Sequence, residues 1–190
     1  YSLKVAGKKL VQYGYKEYIF FNLIPATIGG AITQNAGTKY DGEIKDVCKS
    51  VKLYDIDNDK IVEILCEDFM FSYRNSLVKK KSNKYIVLSA KFKTTNPDKN
   101  PNHLLELMKY KNKEKINREP SGYSFGSTFE NNSLPAWKCV KSIHESLNIN
   151  NGAFFSDKHF NWIINHSADG EIILDLIKKA QIEVHEKLKI

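Results

Sequence analysis

Apolar residues in this chain follow two spacings, and a break rich in Pro and Asn at residues 94–102 divides it into two stretches that each show both. Residues 85–92 (Tyr-Ile-Val-Leu-Ser-Ala-Lys-Phe) give the clearest strand, and its continuous apolar start predicts burial on both faces. Residues 44–55 and 60–65 read as two more strands, joined as a hairpin by the turn Asp55-Ile56-Asp57-Asn58-Asp59. A short helix is expected ahead of Gly14. Beyond the break the helical period returns. It places Leu104, Leu107 and Met108 on one stripe within 103–118. Trp137, Val140, Ile143, His144 and Leu147 share a stripe within 135–147, and Ile173, Leu176, Ile177, Ala180 and Val184 share one within 170–188. Residues 154–155 and 162–164 read as strands. The expected class is α+β, in two units at 1–95 and 96–190.

The chain has 190 residues, enough to bury a core. Its most apolar run, 18–28, is broken by Asn22 and Pro25 and falls short of the ~18 residues of a membrane span. No membrane insertion and no signal peptide are expected. Cys48, Cys66 and Cys139 are unevenly spaced with no CxxC pair, and the histidines show no HxH or HExxH spacing. That argues against a disulfide framework or a metal site, and for a reducing, cytoplasmic setting. The formal net charge is +7, yet of 29 basic residues only Arg74 and Arg118 are Arg. Lys79-Lys80-Lys81 reads as a hairpin loop. Nucleic-acid binding would want clustered Arg and Lys with interleaved aromatics, so none is expected. Nothing in the sequence speaks to oligomeric state. The scarcity of Arg raises one positional question, which is why Arg74 is there.

Four segments could carry chemistry. Residues 24–37 are small side chains around Gly29, Gly30 and Gly37. Such backbone either makes a tight turn or lets a phosphate or flat ring come close, although it carries neither a P-loop nor a GxGxxG signature. Residues 71–76 hold Arg74, which either makes a structural ion pair or clamps a carboxylate through two parallel hydrogen bonds that Lys cannot make. Residues 124–132 place Ser127 behind Gly126. Without a GxSxG elbow a nucleophilic serine is disfavoured, and a hydroxyl that delivers a proton is the alternative. Residues 156–165 read as a turn into a buried strand, with His159 as a structural hydrogen-bonder at its entry.

In order and spacing these segments resemble the UDP-N-acetylenolpyruvoylglucosamine reductase (UDP-N-acetylmuramate dehydrogenase) family. The family run IPGTVGGAxxxNAGA compares with Ile24-Pro25-Ala26-Thr27-Ile28-Gly29-Gly30-Ala31 and Asn35-Ala36-Gly37-Thr38. FxYRxS compares with 71–76, IVLSAxF with 86–92, QPxxxxxAGSxFxNP with Glu119-Pro120 and 125–131, and SxKHxNFIxN with 156–165. The resemblance covers nearly the whole chain and implies a flavoprotein oxidoreductase of peptidoglycan precursor synthesis. FAD would sit in a domain of the vanillyl-alcohol-oxidase type, NADPH would reduce it, and a UDP-sugar enol ether would be the substrate. On that model residues 1–95 are the C-terminal part of the FAD domain, and 96–190 are a smaller α+β substrate-binding domain. Pro25, Ala26, Thr27, Gly29, Gly30, Asn35 and Gly37 would bind the cofactor. Arg74 would hold the enolpyruvyl carboxylate, Ser127 would protonate the carbanion centre, and Tyr73 and Asn131 would contact substrate. The short gap between Ser76 and Ile86 resembles the subtype without an extra Tyr-bearing loop.

The resemblance also implies that the family's diphosphate-binding segment lies ahead of Tyr1 and that its catalytic Glu follows Ile190. Several positions depart from the pattern. Phe20-Phe21-Asn22-Leu23 lacks a usual Gly, Glu130 replaces a Lys, Ala136-Trp137 replaces Ala-Gly, and Lys39 replaces a common Tyr. The swaps at Glu130 and Lys39 leave open a paralogue that reduces another nucleotide-sugar in surface-polysaccharide synthesis, and the want of the catalytic Glu and of the diphosphate-binding segment leaves open a flavin- or nucleotide-sugar-binding module without catalysis.

Overall fold

The computed structural model describes residues 1–38, 41–147, 152–167 and 169–190, and Lys39 lies outside them. The chain is α+β and divides into two compact units, Tyr1–Lys113 and Glu114–Ile190.

In the first unit, helix α1 (Leu3–Gln12) buries Leu3, Gly7 and Val11, four residues apart on one face, and the chain leaves it at Gly14 with φ 90°. A 3₁₀ helix (Lys16–Leu23) then buries six consecutive side chains. Tyr18, Phe21 and Phe92 meet edge to face, with centroids 5.0–6.1 Å apart. Residues 24–37 are not simply a loop. Thr27 caps helix α2 (Ile28–Thr33) by accepting from Gly30 N at 3.1 Å, and Ala31 and Ile32 are buried. Strands β1 (Gly37–Thr38) and β2 (Gly42–Glu43) follow. A Cβ at Gly37 would lie 2.4 Å from Glu43 Cβ, so the pairing itself requires glycine there. The strand expected from residue 44 begins four residues later. Glu43 N donates to Asp46 Oδ2 at 2.9 Å and winds 44–47 into one helical turn, α3 (Ile44–Val47).

Strands β3 (Cys48–Asp55) and β4 (Lys60–Leu65) form the expected hairpin. Helix α4 (Leu77–Lys80) takes in Lys79 and Lys80, read from sequence with Lys81 as a hairpin loop, because Ser76 Oγ caps it by accepting from Lys79 N. Strand β5 (Tyr85–Phe92) completes an antiparallel sheet ordered β4-β3-β5. Val51, Leu53, Val62, Ile64, Val87 and Ala90 join the core. β5 is not buried on both faces: Ile86 and Leu88 are 51% and 48% exposed. An antiparallel sheet needs only one covered face, and here the other carries Lys52, Glu63 and Lys91.

Helix α5 (Asn102–Arg118) packs Leu104 and Met108 into this first core, whereas Leu107 is exposed. That packing explains why the division falls at Lys113 and not at the Pro- and Asn-rich break.

The second unit has helix α6 (Ala136–Ile143), a hairpin of β6 (Ala153–Phe155) with β7 (Ile163–Asn165), and helix α7 (Gly170–Leu188). Its core is Val140, Ile143, Leu147, Ala153, Phe155, Ile163, Leu176 and Ala180, with Ile173, Ile177 and Val184 packed on it. Trp137, placed by spacing on the inner stripe of α6, is 40% exposed. Asp169 caps α7, and Lys189 at φ 58° ends it. Cys48, Cys66 and Cys139 are free thiols. Among the described residues no helix is long and apolar enough to cross a membrane, and no cluster of His, Cys, Asp or Glu could hold a metal ion.

Candidate functional site

In the first unit the segment holding Arg74 closes on itself. Ser72 N donates to Asn75 O and Asn75 N to Ser72 O, so Tyr73 and Arg74 form the tip of a two-residue turn. Arg74 stands at φ 51°, in the left-handed region that favours glycine. A bulky residue kept in such a place points to a task for its side chain. Its guanidinium donates to Asn35 O at 3.2 Å and to Gly37 O at 2.8 Å, and lies 5.0 Å from the centroid of the half-exposed Tyr73 ring. A guanidinium has five N–H donors, so two carbonyl bonds fix it without exhausting it.

Asn35 is fully buried at φ 43°. Its Nδ2 donates to Glu43 Oε2 and Ser72 O, and its Oδ1 accepts from Lys45 N, all at 3.0–3.1 Å. Ser76 Oγ donates to Thr33 O at 2.7 Å. The small-residue run and the arginine turn are therefore one hydrogen-bonded piece. Asn35, Gly37, Tyr73 and Arg74 come together in it.

Pro25, Ala26 and Thr27 run beside the chain's first residues, with Leu3 N donating to Ala26 O and Ile28 N to Tyr1 O, both at 2.9 Å. At Gly29 an added Cβ would meet nothing nearer than Val87 Cβ at 3.8 Å, and at Gly30 nothing nearer than Thr27 Oγ1 at 3.3 Å. Internal packing does not exclude a side chain at Gly29. Glycine leaves bare backbone there, which suits the close approach of a flat ring or a diphosphate. In that respect the residues fit FAD.

In the second unit the serine segment is stapled to residues 156–165. Ser127 forms an isolated antiparallel bridge with Trp162, and Thr128 N donates to Asn161 O at 2.8 Å. The buried Asn161 side chain then acts as a strand partner: Oδ1 accepts from Phe129 N at 3.0 Å, and Nδ2 donates to Phe129 O at 2.8 Å. Gly126 enters at φ 90°, and Ser127 is exposed. Thr128 Oγ1 is buried with no hydrogen-bond partner among the described residues. His159 Nδ1 accepts from Asn161 N at 3.3 Å, the structural role expected of it. Asn131 Oδ1 accepts from Ala136 N at 2.9 Å, tying the end of the serine segment to the start of α6.

A cavity of about 300 Å³ backs this segment, lined by Phe129, Glu130, Leu134, Cys139, Val140 and Val184 among others, but not by Ser127 or Asn131. Sequence reasoning did not single out Asn161. Its signal was an amide inside the apolar run Phe160-Asn161-Trp162-Ile163.

Residues 117–190 match the model of the UDP-N-acetylenolpyruvoylglucosamine reductase C-terminal domain. The whole chain aligns with curated relatives of that name. It is 35% identical over 191 residues to the Clostridioides difficile protein, covering 97% of this chain and 60% of the relative. It is 36% identical over 194 residues to the Caldicellulosiruptor bescii protein, covering 99% and 60%. Over nearly its whole length the chain is similar to members of this family. It spans about 60% of the length of these two relatives. Its fold is shared with the crystal structure of UDP-N-acetylenolpyruvylglucosamine reductase from Thermus caldophilus, at a TM-score of 0.79 and 24% identity, over 95% of this chain and 65% of that one.

Proposed function

We propose that the protein reduces UDP-N-acetylglucosamine enolpyruvate to UDP-N-acetylmuramate with NADPH and FAD, a cytoplasmic step of peptidoglycan precursor synthesis. The observation that carries this reading is Arg74. It is one of two arginines in a lysine-rich chain, stands at a φ that disfavours it, and is braced by two loop carbonyls. A braced guanidinium suits a planar carboxylate, and its fixed charge opposes the negative charge that develops when the enolpyruvyl group is reduced.

Pro25, Ala26, Thr27, Gly29 and Gly30 would hold FAD, which supplies the two-electron redox chemistry when bound. Asn35 and Gly37 support the same loop from within, since the Asn35 amide and the Gly37 backbone are occupied by protein partners. Tyr73, beside the guanidinium, would contact substrate. Ser127, exposed on a segment pinned along its length, would donate the proton that completes the reduction, with Asn131 on the same segment contacting the sugar nucleotide. The net charge of +7 suits three polyanionic ligands.

The test is a pair of half-reactions with the full-length protein. Its flavin absorbance should bleach with NADPH and return with UDP-N-acetylglucosamine enolpyruvate. A reduced flavin that this substrate leaves bleached would overturn the assignment.

A further inference from the structure

Both amide hydrogens of Asn35 are engaged, one on Glu43 and one on the carbonyl of Ser72. Ser72 is the first residue of the turn whose tip is Arg74, and the main-chain carbonyl of Asn35 accepts from Arg74 Nη1. One buried residue thus holds the backbone that carries the guanidinium and also supplies an acceptor that aims it. We infer that Asn35 is a positioning residue for Arg74, setting the orientation in which the guanidinium meets the substrate carboxylate. The inference rests on the role given to Arg74 above.

Its neighbours in the chain, from Thr27 to Gln34, form the cap, helix α2 and its end. The segment proposed to carry the flavin therefore runs directly into the residue that sets the arginine. Glu43 is the outer support. It takes the Asn35 amide with one oxygen and the Lys45 ammonium with the other, at 2.7 Å.

The test uses the flavin-loaded, full-length protein. Asn35→Gly deletes the amide and accepts a φ of 43° without backbone strain; it leaves the Ser72 carbonyl and the Lys45 N–H unpaired, so the denaturation midpoint should fall, while the fold and the flavin, which the amide does not touch on this inference, should persist. Reoxidation by the enolpyruvyl substrate should slow by about 10²-fold, the scale on which a misplacement of ~1 Å costs rate, with flavin reduction by NADPH unchanged. In the double variant the loss should not exceed that of Arg74→Ala alone, because both changes remove one interaction.

A readout without turnover is NMR of the guanidinium N–H groups, which should be ordered in the unaltered protein and averaged in Asn35→Gly. Additive losses, or a guanidinium as ordered in Asn35→Gly as before, would overturn the inference. So would loss of flavin from Asn35→Gly, which would give the amide back to the cofactor. If Arg74→Ala alone leaves substrate reduction unchanged, the role of Arg74 fails, and the NMR comparison still decides whether Asn35 holds the guanidinium.

Discussion

Ser127 and Arg74 would act in different ways, and single substitutions separate them. Ser127 gives a hydroxyl, so Ser127→Ala should leave flavin reduction by NADPH intact and slow reoxidation by substrate by about 10²–10⁴-fold, the usual contribution of a general acid. Equal rates in the second half-reaction would remove Ser127 from the mechanism. Cys48 is a residue of another kind. Burial, and then the nearby Cys66, push its thiol up to about 12 from 9.0. Above about pH 9 the unfolded chain releases this proton while the folded chain keeps it, so the Cys48 contribution to stability is full below that pH and declines as pH rises toward about 12. Urea midpoints of Cys48→Ala should fall less steeply across that window than those of the unaltered protein. Parallel profiles would show that Cys48 titrates alike in both states.

Among the elements, the stapled serine segment has the sharpest dependence on one side chain. Asn161→Ala would leave the N–H and carbonyl of Phe129 without their partners. Each unpaired buried group costs about 1–3 kcal/mol, so the denaturation midpoint should drop, and substrate reduction should drop more than flavin reduction. Unchanged stability would mean that water replaces the amide. Asn161, and the tie from Asn35 to the arginine turn, were illegible in the sequence for the same reason: Phe129 and Ser72 lie 32 and 37 residues away, and no local spacing encodes them. Helix α7 was legible to the residue because its apolar stripe is regular and Asp169 marks its start. Helix α2 was not, since small residues and two glycines give no stripe, and its helicity comes from the Thr27 cap and the burial of Ala31 and Ile32. Arg74 was legible through its rarity alone. The exposed outer side of β5 was missed because a run of apolar residues looks the same whether one face or two are covered.

At the scale of the whole molecule, charge is the property that no single element shows. On the proposed function, a chain of net charge +7 should bind its dianionic diphosphate ligands less well as salt rises. KM values for NADPH and the UDP-sugar should both increase between ~0.02 and ~0.2 M salt, where the screening length shrinks to less than 10 Å. Flat KM values would mean that only close, shielded contacts matter. The lysines spread over both units favour the first outcome.

The Asn35 amide also has a lifetime. Its hydrolysis to a carboxylate would set a second acid about 3 Å from Glu43 Oε2 and against the Ser72 carbonyl, with no hydrogen left to donate. Two such acids cannot both stay ionised at that distance, so one would take up a proton or the turn carrying Arg74 would swing away. Any molecules hydrolysed there would differ from the rest by one mass unit and, on the proposed function, would keep the flavin yet lose competence toward the enolpyruvyl substrate.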